Sequence, residues 1–203
     1  MAVRLRRTEQ TQRNRAAVLA AAKRVFIARG YHAASLDQIS EEAGFSKGVV
    51  YSQFRNKADM FLALLEDRIA ERAEENARLV ETLTGPDAVL RLAEQLVGGS
   101  RDQAEWSLLV IEFRVHAARD PELSARYAAA HARTVAALAE VGERAFAAAG
   151  KEPPFPPRRI AEIVLALGTG AQLEQAADPT AFAGEAAAEL MSHLVTGPER
   201  STP

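Results

Sequence analysis

Three observations predict an all-α fold. Apolar residues recur at spacings of three and four along most of the chain, no stretch alternates over a strand's length with β-branched enrichment, and alanine is abundant. About nine helices fit between the turn signals. They group into a three-helix head, 1–56, and a larger body, 57–203.

The first helix is expected from about Thr11 to Arg29, where Val18, Leu19, Ala22, Val25 and Phe26 share one stripe. Gly30 then stands where a left-handed residue ends a helix, and Tyr31 beyond it is placed to cover Phe26. Ser35 opens the second helix, with Gln38 three residues on completing a capping box. That helix buries Leu36, Ile39 and Ala43 and stops at Gly44; Phe45 fills the turn. Ser46 caps a third helix running to about Phe54. Asn56 caps a long fourth helix, Lys57 to about Leu83. Further helices are expected near 86–98, 103–118, 121–149, 157–176 and 180–195, separated by glycine and proline signals. The Pro153–Pro157 segment reads as a stiff extended linker.

Composition narrows the function classes. There is no cysteine, which excludes disulfide scaffolds, thiolate zinc sites and cysteine nucleophiles. The basic N-terminus lacks the apolar run of a signal peptide, and no segment approaches the roughly 20 apolar residues of a membrane span, so a soluble cytoplasmic protein with no membrane partner is expected. The net charge of −2 conceals an asymmetry: residues 1–60 hold 11 Lys/Arg against 5 Asp/Glu, whereas residues 61–203 hold 14 against 22. A head at +6 suits a polyanion, which a body at −8 would repel.

Segment Ser35–Phe54 has the architecture of a helix-turn-helix with its second helix in the reading position. On a helical wheel Val50 and Phe54 face the core. Gly48, Ser52 and Arg55 lie opposite, flanked by Lys47, Val49 and Tyr51. This small polar surface fits a major groove about 12 Å wide. Gly48 costs a helix about 1 kcal/mol relative to alanine, as expected either where bulk would obstruct close approach or on a tolerant surface.

The run Ala43-Gly44-Phe45-Ser46-Lys47-Gly48-Val49-Val50-Tyr51-Ser52-Gln53-Phe54, followed by Asn56-Lys57 and a long helix, resembles the signature of the TetR family of transcriptional regulators. The resemblance is strong over residues 11–65 and beyond them extends only to length and helix pattern. It implies a DNA-binding head and a body that binds a ligand and dimerises. By motif, Lys47, Gly48 and Val49 match positions that approach base edges. Tyr51, Gln53 and Lys57 match positions that hold phosphates, and Ser35 and Leu36 match a further backbone contact. Ser46 and Ser52, at the start and on the exposed side of the reading helix, complete the candidate DNA-binding set. Two positions depart from the family pattern. Gln53 stands where histidine or tyrosine is frequent, and Asp37 suits the helix dipole but cannot pair with guanine as a basic residue there would.

In the body, Trp106, Leu109, Val110 and Phe113, with Tyr127 and His131, are candidates for an apolar effector pocket, although ordinary core filling explains each singly. Glu112 and His116, one turn apart, read as a local ion pair. The resemblance places a homodimer interface on the last two helices. Ile163, Val164, Leu167, Gly168 and Ala171 on one, and Phe182, Ala186, Leu190 and Leu194 on the other, agree with a four-helix contact. The expected partners are thus a palindromic double-stranded operator, a second copy and a small-molecule effector, with no cofactor. The expected activity is repression released by the effector. A helical-bundle metal enzyme using Glu112, His116, Glu189 and His193 is the rival, but both pairs are Glu-x-x-x-His where di-iron bundles use Glu-x-x-His. A ligand-independent DNA-binding protein is a second alternative.

Overall fold

A computed structural model describes residues 2–83, 87, 88, 90, 91, 94, 101–178, 181, 189 and 190. Among these residues there are seven helices and no strand: α1 (Ala2–Ala33), α2 (Leu36–Ala43), α3 (Lys47–Tyr51), α4 (Lys57–Thr82), α5 (Arg101–Ala117), α6 (Pro121–Ala148) and α7 (Pro157–Ala177). The all-α expectation holds. Most of the residues expected to form helices near 86–98 and 180–195 lie outside the described set.

Contacts divide the chain differently from the expected 1–56 and 57–203 segments. One compact unit comprises 1–68 together with 112–127, and the other 69–111 together with 128–203. The head unit therefore includes the start of α4, the last turns of α5 and the first turns of α6. The reason is aromatic packing. Phe61 of α4 stacks on Phe113 of α5 at 4.2 Å, and Tyr31 meets both rings edge-on, at 5.5 and 5.0 Å. Three helices of 8, 5 and 32 residues bury too little apolar surface alone, and the borrowed turns supply the missing side of the core.

Local signals set the head's corners. α1 turns sharply at Gly30, with φ 73° and ψ 167°. Positive φ is as expected, but this ψ is extended, so the residue is not the anticipated left-handed cap and the chain resumes helical geometry through Ala33. Tyr31 nevertheless covers Phe26, at 5.9 Å between rings. The Ser35 hydroxyl accepts from the Gln38 N–H, the Gln38 side chain accepts from the Ser35 N–H, and left-handed Gly44 ends α2. α3 is shorter than expected, stopping at Tyr51, and Ser46 precedes it without a side-chain capping bond. Asn56 caps α4, its Oδ1 accepting from the Asp59 N–H at 2.8 Å. Val18, Phe26, Ile39, Val50 and Phe61 are fully enclosed.

The second unit has its own core, in which Ala88, Ala145, Phe146, Ile160 and Val164 pack together, with Val80, Leu83, Leu90 and Leu167 at its edge. None of the described helices is long and apolar enough to cross a membrane.

Candidate nucleic-acid interface

α2 and α3 form the helix-turn-helix, and their burial pattern separates structural from contact residues. Leu36, Ile39, Val50 and Phe54 are buried, whereas Ser46, Lys47, Gly48, Tyr51 and Ser52 are exposed and Val49 is half-buried. α3 is held from within by Val50 and presents its polar side to solvent. A β-carbon added at Gly48 would approach only the Ser46 hydroxyl, at 3.9 Å, so nothing inside the protein requires glycine there.

The polar side chains of this surface are organised on one carboxylate. Lys47 Nζ lies 2.5 Å from Asp37 Oδ2, and the Tyr51 hydroxyl donates to Asp37 Oδ1 at 3.3 Å. The hydrogen bond from Lys47 holds the Asp37 carboxyl below its ordinary range, and the Asp37 carboxylate in turn raises the Lys47 ammonium. Ser52 donates its hydroxyl to the Val49 carbonyl, at 2.8 Å.

Four expected DNA contacts look different in the structure. The Leu36 side chain is buried in the head, leaving only its backbone for a phosphate. The Ser35 hydroxyl is engaged in the capping box. Gln53, expected at a phosphate, has its side-chain oxygen buried with no hydrogen-bond partner. Lys57 donates to the carbonyls of His32 and Ala34, at 2.9 Å each, and lies 4.6 Å from the centre of the Tyr31 ring. Burial pushes its ammonium below its ordinary value. Lys57 is thus a staple on the end of α1, where a cation is favoured by the last carbonyls.

The rest of the head unit fastens α5 and α6. Glu112 Oε2 accepts from the Tyr31 N–H at 2.8 Å, which replaces the expected Glu112–His116 ion pair. The His116 ring lies 5.1 Å from Tyr31 and 5.4 Å from His32. Arg126 of α6 pairs with Asp59 at 2.7 Å, and Arg55 reaches the same carboxylate at 2.8 Å. Burial alone would push the Asp59 carboxyl up, but hydrogen bonds from Arg55 and Arg126 outweigh it and bring the group below its ordinary value. No local sequence pattern signals these ties, since Tyr31 and Glu112 are 81 positions apart.

Burial pushes the Tyr31 hydroxyl from its ordinary 10.0 up to about 12. The folded chain therefore favours the neutral phenol. This contribution is complete below pH 10 and is lost as pH rises from there through about 12; the two-unit rise corresponds to on the order of 2–3 kcal/mol. Tyr31→Phe should accordingly lose less of its melting temperature than the parent between pH 10 and 12. Parallel alkaline profiles would contradict this.

The candidate effector residues are drawn from both compact units. Phe113 and Tyr127 belong to the head unit, with their rings 6.0 Å apart, and Phe113 is fully buried in the aromatic cluster. Trp106, Leu109, Val110 and His131 belong to the second unit, where Trp106 and Leu109 are buried and Val110 and His131 half-buried. The residues of the expected dimer stripe differ in their burial within one chain. Val164, Gly168 and Ala171 are already buried within one chain, and Val164 packs on Phe146 and Ile160. Ile163 and Leu167 are half-buried, Leu173 and Leu190 are exposed, and Phe182, Ala186 and Leu194 lie outside the described residues.

Residues 18–64 match the profile described as bacterial regulatory proteins, tetR family, and residues 86–197 match that of the BetI-type transcriptional repressor, C-terminal. The second match alone covers more than half of the chain. The chain belongs to the TetR family. It is similar to the HTH-type transcriptional activator FasR of Mycolicibacterium smegmatis, 38% identical over 79 residues, which are 39% of this chain and 36% of the relative. The HTH-type transcriptional repressor AcnR of Corynebacterium efficiens is 30% identical over 117 residues, 56% of each chain. These alignments therefore span little more than half of the relatives' length at most. Solved structures share the TetR fold over nearly the whole length. The transcriptional regulator FadR of Bacillus subtilis in complex with stearoyl-CoA superposes with a TM-score of 0.68 at 17% identity, covering 90% of this chain and 98% of that one. A TetR-family regulator from Rhodococcus gives 0.72 at 22%, covering 88% and 94%.

Proposed function

We propose that this TetR-family protein is a transcriptional repressor that binds a palindromic operator as a homodimer and is released by a small-molecule effector bound in its body. The observation that carries the reading is the exposed face of α3, where Lys47, Gly48, Tyr51 and Ser52 stand clear of a helix anchored by buried Val50. Two such helices about 34 Å apart enter successive major grooves of one duplex face. The +6 head charge supplies attraction to phosphates, and α3 reads base edges. Binding chromosomal DNA places the protein in the cytoplasm.

For release, α4, α5 and α6 are the covalent routes, because each has residues in both compact units. An effector that prefers one body conformation shifts the head equilibrium only by its differential affinity for the two states. The BetI-type match over 86–197 supports the repressor assignment, and the complex of FadR, a regulator of the same fold, with stearoyl-CoA supports effector binding without naming the effector. The chemistry needs no catalytic group.

Selection of duplexes from a random library, followed by comparison with Gly48→Leu, tests the reading. The space around Gly48 predicts that this substitution leaves the fold intact and adds up to about 1 kcal/mol of helix stability. The leucine fills the room through which α3 approaches the base pairs, so operator affinity should fall about 10- to 100-fold, on the scale of one lost base readout. Unchanged operator affinity in a folded Gly48→Leu protein would remove α3 from the interface.

A further inference from the structure

The Asp37 carboxylate is an anion on a surface assigned to a polyanion, and it binds the two donors best placed to meet phosphates or base edges. Lys47 and Tyr51 sit four residues apart on α3, and each takes one of its two oxygens. The side chains of Lys47 and Asp37 remain 59% and 44% exposed, so water reaches both partners. An ion pair this open contributes little to stability and is easily exchanged. While closed, however, it cancels one positive charge on the reading helix, and a phosphate oxygen must displace a carboxylate oxygen to recruit Lys47. Once Lys47 leaves, Asp37 faces the duplex as an uncompensated negative charge.

We propose that Asp37 is a specificity-determining residue that holds Lys47 and Tyr51 closed against non-operator DNA and releases them only where base contacts of α3 offset its own exposure to phosphate. This rests on the operator-binding reading above. Discrimination then comes partly from a penalty at wrong sites, which is a separate device from better contacts at the right one. The ionised state of the pair at neutral pH agrees with the lowered Asp37 and raised Lys47 proton affinities.

The test uses full-length wild type, Asp37→Asn, Asp37→Ser, Asp37→Glu and the double variant Asp37→Asn/Lys47→Gln. Each is checked for fold by circular dichroism and titrated with the selected operator and with a scrambled duplex between 50 and 200 mM salt. Freeing Lys47 for one more phosphate should steepen the log–log salt slope by about 0.9, enlarge the affinity loss over that range about 3.5-fold, and raise scrambled-duplex affinity at 50 mM about tenfold. Operator affinity should change much less, so the operator-to-scrambled ratio drops. Asp37→Glu should retain the wild-type ratio, and the double variant should lose the gain in slope. Asp37→Ser repeats the measurement should Asp37→Asn fail to fold.

An unchanged slope and ratio in a folded charge-removing variant would overturn the proposal. A gain that persists in the double variant would also overturn it, because Lys47 would then not be the released group. Failure of wild type to select any operator would instead overturn the reading beneath it.

Discussion

Phe61→Ala should be the most destabilising single substitution in the head unit, lowering stability by about 3–5 kcal/mol. The Phe61 ring is fully buried, stacks on Phe113 at 4.2 Å, and meets Phe26 and Tyr31 edge-on at 5.5 Å each. Removing it opens a cavity bounded by α1, α4 and α5 together. By contrast the exposed Arg24–Glu42 pair, at 2.7 Å with side chains 59% and 44% exposed, belongs to a class worth about 0–1 kcal/mol. The aromatic cluster therefore dominates cohesion. For a chain of this length the loss corresponds to a melting temperature lower by about 6–20 °C. Calorimetry of Phe61→Ala beside Arg24→Ala checks the ranking; equal effects would refute the role given to the cluster.

Gly30→Ala should cost about 2–4 kcal/mol, by two separable routes. At φ 73° and ψ 167° the backbone occupies a region that essentially only glycine enters without strain. An added β-carbon would also lie 2.9 Å from Glu112 Oε2, the oxygen that accepts the Tyr31 N–H. The carboxylate end can swing away, but the hydrogen bond is then lost. Backbone strain is therefore the larger part. A cycle with Glu112→Ala separates the two: in that background Gly30→Ala should retain most of its cost. If the cost vanished when the carboxylate was removed, the strain argument would fail. Melting temperatures of the four proteins give the answer.

Much of the head was legible in the sequence because its signals are local. The Ser35–Gln38 capping box, the Gly44 stop, the Asn56 cap and the Phe26–Tyr31 contact each depend on residues no more than five positions apart, and all are present. The exposed face of α3 follows from helical periodicity once Val50 and Phe54 are placed inward. Long-range ties were not legible. Neither the Glu112–Tyr31 bond nor the Arg126–Asp59 pair leaves a periodic trace, so the sequence does not show that Phe113 and Tyr127 pack with the head unit. Lys57 shows a related limit, since its position suits a phosphate and only the fold shows that it also donates to the carbonyls of His32 and Ala34. Apolar stripes on α7 do not distinguish a chain's own core from a partner's, and Val164 and Ala171 lie in the former.

Asp37 illustrates a different limit. Its sequence position announces a departure from the family pattern, but only the fold shows that the carboxylate gathers Lys47 and Tyr51. Its effect on specificity is a property of three side chains on two helices.

Operator selection is the measurement that bears most directly on the central claim. The purified full-length protein is challenged with random duplex DNA, and the affinity and stoichiometry of the enriched site are then followed against salt. The account predicts an inverted repeat with half-sites about one helical turn apart, bound by two chains, with affinity falling steeply as salt rises. A folded protein that enriches no sequence at low salt, with or without candidate effectors present, would contradict it.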